Sequence, residues 1–243
     1  MMDGLKTWWT YDQEAEKASA DNPVTPLSDS QRRGTGPLLT LAFGWGFLVT
    51  GLFTGGILGS GQVFWPDLVL ATFAGNFANL CIGAIVGYIG YRTACNSGLL
   101  YQLVYGKIGA YVPVLIIAAL LIGWQGIVVG AFGSAWAGNT DSATFYAVAI
   151  IAGILFTGTT YFGVKGLEYV SMPAVSVLVL VGLYAGWLNI DRAGGWSGFL
   201  QMSAATAAES ETPLTMLRAI NLVIGSWIVG AIVMSEYTRF ARK

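Results

Sequence analysis

Apolar residues along this chain come in long unbroken runs, and polar residues collect between them. Six runs are long enough for the roughly 20 apolar residues a helix needs to cross a bilayer: residues 37–58, 67–91, 110–136, 143–163, 171–190 and 214–235. Each is predicted to be a transmembrane helix, so the expected fold class is all-α transmembrane with about six spans. Ionisable side chains avoid the centres of these runs; Asp67, Asp141, Glu168, Asp191 and Glu236 all fall at predicted ends. Carboxylates of a buried proton relay are therefore not expected. Residues 1–36 follow another pattern, holding ten of the 25 charged residues together with Pro23 and Pro26. They read as a solvated polar tail without a signal peptide.

Composition agrees with this reading. The 243 residues are 55% hydrophobic and 10% charged, with a mean hydropathy of +0.63, too apolar for a soluble domain of this size. Lys and Arg are enriched on cytoplasmic flanks, and here they divide ten to two. Lys6, Lys17, Arg32, Arg33, Arg92, Lys107, Lys165, Arg239, Arg242 and Lys243 lie on one side, against Arg192 and Arg218 on the other. Both termini are thus expected to be cytoplasmic, with residues 191–213 forming an extracellular or periplasmic loop. A net charge of -1 without a basic patch argues against nucleic acid as a partner. The chain has no His, and its two cysteines, Cys81 and Cys95, read as buried thiols. No nucleophile triad, phosphate loop or metal-spaced cluster is present, so an enzyme is not expected.

What the spans do contain is glycine, tryptophan, amides and hydroxyls. Between Gly44 and Gly61, seven of eighteen residues are glycine, the residue that helix interiors tolerate least after proline. Gly51 and Gly55 match a helix-packing spacing, yet the clustering suggests a helix that breaks near its middle and ends early. Non-helical backbone at membrane depth is tolerated where it lines a protein cavity. The last run, with Gly225 and Gly230 around Trp227, is a second candidate for interruption. Asn76 and Asn79, three residues apart on one face, would suit a bond to a neighbouring helix. Trp65, Trp136, Trp187 and Trp196 sit near span ends, as interfacial tryptophans do. Trp124 and Trp227 lie near mid-span beside glycines, where ligand stacking and helix packing both remain open.

Four stretches in register resemble the nucleobase:cation symporters, the family of cytosine, purine, uracil, allantoin and hydantoin permeases. They are TGGILGSG (54–61), GYIGYRT (87–93) with LL at 99–100, GWQGIVVGAF (123–132) and GSWIVGAIVMSEYTRFAR (225–242). The tail segment DNPVTPLSDSQRRG (21–34) is similar to the segment before the family's first helix; the cytosine/purine branch is the most similar. The resemblance implies the leucine-transporter fold, two inverted five-helix repeats with helices 1 and 6 unwound around a central site. It implies a cation, sodium or a proton, held by the carbonyls of Gly44 and Phe47, and a planar base facing the backbone of Leu48, Val49 and Thr50. Trp124 and Trp227 would stack on the two faces of the base, with Gln125 as a polar partner. In the resemblance, residues 37–190 form the first repeat, and 214–243 form helix 6 with its cytoplasmic exit. One repeat and a single further helix imply that these residues do not transport alone: a second half, or a second copy, would complete the cation site. An inner-membrane location follows. Another solute on the same fold, an amino acid or quaternary amine, and a non-transporting membrane interaction protein are the alternatives.

Overall fold

The structure is a computed structural model that describes residues 24–32, 34–46, 49–160 and 163–242. Its helices, in chain order, are α1 (Thr35–Gly46), α2 (Val49–Ile57), α3 (Asp67–Thr93), α4 (Ser97–Gly109), α5 (Tyr111–Ala137), α6 (Ala143–Thr160), α7 (Gly163–Arg192), α8 (Trp196–Ala208), α9 (Met216–Ile232) and α10 (Ser235–Thr238). No strand occurs among the described residues. Among the described residues, four stretches are long and apolar enough to cross a membrane: Asp67–Thr93, Tyr111–Ala137, Pro173–Arg192 and Met216–Thr238. Ala143–Thr159 is also apolar but shorter. At about 1.5 Å rise per residue, the 27 residues of α3 or α5 exceed a hydrocarbon core of roughly 30 Å. The chain is a multi-pass, all-α membrane protein.

The first predicted span corresponds to α1 and α2; Phe47 and Leu48, between them, lie outside the described residues. The early ending expected from the glycines is not what the chain does. After Ile57 it continues in a π turn, Leu58–Gln62, closed by the Val63 N–H donating to the Leu58 carbonyl at 3.2 Å. The wider turn keeps Leu58 buried with Val63, Ala71, Ala219 and Val223, and apolar burial there outweighs the poor helix propensity of Gly59 and Gly61. In the last span α9 is helical straight through Gly225 and Gly230. The interruption falls later, at Val233 (φ -103°, ψ 14°), before α10.

The connections are more ordered than their sequence suggested. Asn96 caps α4, its side-chain oxygen accepting the Leu99 N–H at 2.8 Å, and α4 bends at Gly106, whose φ of 72° and ψ of 173° only glycine adopts readily. Residues 191–213, expected as a loop, contain α8, which packs on the π turn. Trp65 meets Trp196 edge to face there, with centroids 5.9 Å apart. Cys95 is buried as expected, whereas Cys81 is exposed; it sits two residues from Asn79 and so points away from the packed face of α3.

That packed face organises the fold. Ala71, Gly75, Asn79, Gly83 and Gly87 recur every fourth residue on α3, and all are buried. Opposite them α9 buries Ala219, Val223, Gly230 and Ala231. Small residues let two helix backbones approach closely, which is how spans associate when lipid is as apolar as the side chains. A Cβ added at Gly75 would lie 2.6 Å from Val223 Cβ, and one at Gly90 2.6 Å from Ser235 Cα.

Polar contacts close one end of this pair. Leu27 packs with Ala94 and Phe240, and its N–H donates to the Ala94 carbonyl at 3.0 Å. The buried guanidinium of Arg32 donates through one nitrogen to the carbonyls of Tyr91 (3.0 Å) and Ala241 (2.9 Å). Its Nε lies 3.2 Å from Asp29, an ion pair without hydrogen-bond alignment. Glu236 accepts the Ser97 N–H at 2.9 Å, placing a carboxylate at the N-terminus of α4 where the helix dipole favours it. Burial raises the pKa of the neighbouring Tyr101 phenol, and the Glu236 charge adds to the shift.

Candidate functional site

Two cavities flank Trp227. One, of about 840 Å³, runs along α3 and α9 and is lined in part by Asn76, Asn79, Tyr88, Trp227 and Met234. The other, of about 590 Å³, is bounded by Gly51, Thr54, Thr72, Asn76 and Trp227 and by the Leu178–Ala185 face of α7. Gly46, Asn76 and Trp227 belong to both, so the indole stands at the wall between them. Among the described residues, neither lining contains a charged side chain. Volumes of this order are typical of small-molecule sites, where apolar walls carry a few placed polar groups.

The indole reaches its position because α2 offers no side chain at Gly51. A Cβ there would sit 3.2 Å from Trp227 Cζ2, tighter than ordinary contact. The neighbouring Thr50 is buried, and its hydroxyl has no hydrogen-bond partner among the described residues; its carbonyl accepts the Thr54 hydroxyl at 3.1 Å. A buried hydroxyl without a partner costs about 1–3 kcal/mol. Asn76 donates back to the Thr72 carbonyl of its own helix at 3.0 Å. Asn79 is the one that crosses to a neighbouring helix, its amide nitrogen lying 3.4 Å from the Val223 carbonyl and 3.3 Å from that of Ile224.

Of the residues singled out from sequence, Trp227 lines both cavities, while Thr50 precedes the Gly51 that meets the indole but lines neither. Gly44 lies in α1 and Val49 opens α2, while Phe47 and Leu48 are outside the described residues. Trp124 and Gln125 are half-buried on α5 and line neither cavity. Helix α5 packs chiefly on α6, where Gly133 leaves room for the Phe145 ring. Asn76, expected to bond to a neighbouring helix, instead bonds within α3 and lines both cavities. The four-residue recurrence of small residues from Ala71 to Gly87 was the available signal, since it marks the face of α3 that meets α9 and so the side on which Asn76 falls.

The helices and the aromatic and amide side chains at these cavities are those of a multi-pass α-helical membrane protein. No protein-family model matches the chain. Over 226 residues it is 30% identical to the cytosine permeases of Escherichia coli K12, O157:H7 and O6:H1, an alignment that takes in 92% of this chain and 52% of each relative. These matches support its assignment to the nucleobase transporter family, and the chain spans about half the length of the curated relatives it matches.

Proposed function

We propose that this chain forms part of a cation-coupled permease for a nucleobase of the cytosine or purine type, in the inner membrane with both termini cytoplasmic. The observation that carries the reading is the 30% identity to cytosine permeases over 92% of the chain. In this reading Trp227 stacks on one face of the base, because a neutral planar ring gains about 1–3 kcal/mol from an aromatic face. Thr50, whose hydroxyl lacks a partner among the described residues, and the backbone of Leu48 and Val49 supply hydrogen bonds at the ring edge. Trp124 supplies the second stacking face and Gln125 a further edge. Since neither lines the cavities beside Trp227, that half of the site forms only if α5 moves toward α9. Sodium, the proposed co-substrate, would be held by the carbonyls of Gly44 and Phe47 together with oxygens from a second half or a second copy.

Thermal-shift measurements on residues 1–243 in detergent, against a panel of nucleobases, amino acids and quaternary amines, test the reading. Stabilisation confined to planar bases is the expected result. Stabilisation by an amino acid or a quaternary amine instead would replace the substrate class, and no response to any of them would remove ligand binding from this chain.

A further inference from the structure

Asn79 is the only side chain larger than alanine in the small-residue stripe of α3, and it is 7% exposed. Helix packing alone would be served better by a glycine or alanine at that position, as at Gly75 and Gly83. Its amide nitrogen approaches two successive carbonyls of α9, Val223 at 3.4 Å and Ile224 at 3.3 Å. In an α-helix those carbonyls accept the N–H groups four residues on, which here belong to Trp227 and Ile228. The Ser226 hydroxyl also donates to Val223, at 2.8 Å. The Val223 carbonyl therefore has more donors than its two lone pairs can take at full strength, and the turn leading into Trp227 is held from outside the helix as well as from within it.

We infer that Asn79 is a positioning residue for Trp227, fixing the Val223–Trp227 turn so that the indole lies in the wall between the two cavities. The contact has a cost that packing does not require. The side-chain oxygen of Asn79 is buried without a partner among the described residues, and such a group is unfavourable unless its other end gains something. Gly225, within the same turn, contributes no side chain that could hold the indole, and a Cβ there would meet nothing within 4 Å. With the amide removed, the turn keeps its helical bonds but loses its tie to α3, and the indole is free to leave the wall.

The inference concerns the indole itself and extends the proposed function only where it bears on affinity for a base. The test is 19F NMR of the full chain labelled with 5-fluorotryptophan, with the Trp227 resonance assigned by Trp227→Phe. Two variants separate the hydrogen bond from the volume: Asn79→Ala, which removes both, and Asn79→Leu, which keeps a similar volume without a donor. The expected result is that both displace or broaden the Trp227 resonance and leave the others of the nine tryptophans in place. An unmoved Trp227 resonance in either variant overturns the inference, as does a general displacement of all resonances. In a second measurement, titration with cytosine, Asn79→Leu is expected to weaken binding about tenfold in the parent and not at all in a Trp227→Ala background. Equal weakening in both backgrounds would make Asn79 a general packing residue. A parent chain that binds no cytosine would count against the proposed function, while the NMR result alone would still decide the role of Asn79.

Discussion

Three glycines on α3 face the partner helices at very different separations, and adding one methyl group to each should produce opposite effects. Carbon atoms pack at about 3.5–4.0 Å. At Gly90 a new Cβ would lie 2.6 Å from Ser235 Cα and 2.8 Å from Ser235 Cβ. At Gly75 it would lie 2.6 Å from Val223 Cβ and 3.0 Å from the Ile220 carbonyl oxygen. At Gly83 the nearest atom, Ala231 Cα, is 3.6 Å away, which is ordinary contact. The first two sites fall short by about 1 Å against atoms fixed to a backbone, so the helices must separate, and overpacking of this kind costs about 1–3 kcal/mol. Every Gly→Ala change in a helix also gains about 1 kcal/mol of propensity. Gly90→Ala and Gly75→Ala should therefore lose up to about 2 kcal/mol net, whereas Gly83→Ala keeps the propensity gain and adds a contact. For a chain of this size each kcal/mol moves the melting temperature by about 2–4 °C. Fluorescence-detected size exclusion after heating in detergent should rank Gly83→Ala at or above the parent, then Gly75→Ala, then Gly90→Ala. Equal or raised stability in the last two, or Gly83→Ala as the least stable, would refute the close approach of α3 to α9 and α10.

Other outcomes follow from the same contacts. Arg32→Gln should destabilise by about 1.5–3 kcal/mol, the range for hydrogen bonds to a charged group, because two backbone carbonyls lose their donor. Asp29→Asn should change stability by less than about 1 kcal/mol, since the Asp29 side chain is 86% exposed; thermal denaturation of both variants checks the order. Trp227→Ala should weaken cytosine binding by roughly tenfold to hundredfold, the equivalent of one stacked base, and Trp124→Ala should do the same if α5 closes on the site; isothermal titration measures both. Cysteine labelling from outside the cell should tag a cysteine introduced at Asn139 or Gly195 and spare one at Ser30, and the reverse pattern would invert the proposed orientation. Proteoliposomes holding residues 1–243 alone, under an imposed sodium gradient, should show no saturable cytosine uptake, and uptake would mean that two copies rebuild the site.

Hydrophobic run length by itself determines most of the architecture. A stretch of some 20 apolar residues has few ways to satisfy its backbone in lipid other than as a helix, so Asp67–Thr93 and Tyr111–Ala137 lie close to where the pattern places them. Motifs carry the family likeness for a similar reason, since TGGILGSG and GSWIVGAIVMSEYTRFAR are local strings that survive without knowledge of their neighbours. Tertiary structure decides which faces meet. Whether Asn79 ties two helices or Asn76 lines a cavity depends on how α9 lies across α3, which three residues of separation on one helix cannot reveal. The π turn after Ile57 and the late interruption at Val233 are likewise set by burial, of Leu58 at one end and of Ser235 beneath Gly90 at the other. Glycine clustering signals that a backbone can bend or be approached closely, but the partner that makes use of this freedom comes from elsewhere in the chain. That is why Gly51 is filled by the ring of Trp227, 176 residues away in sequence, and why Trp124, legible as an aromatic at mid-span, lines neither cavity beside it.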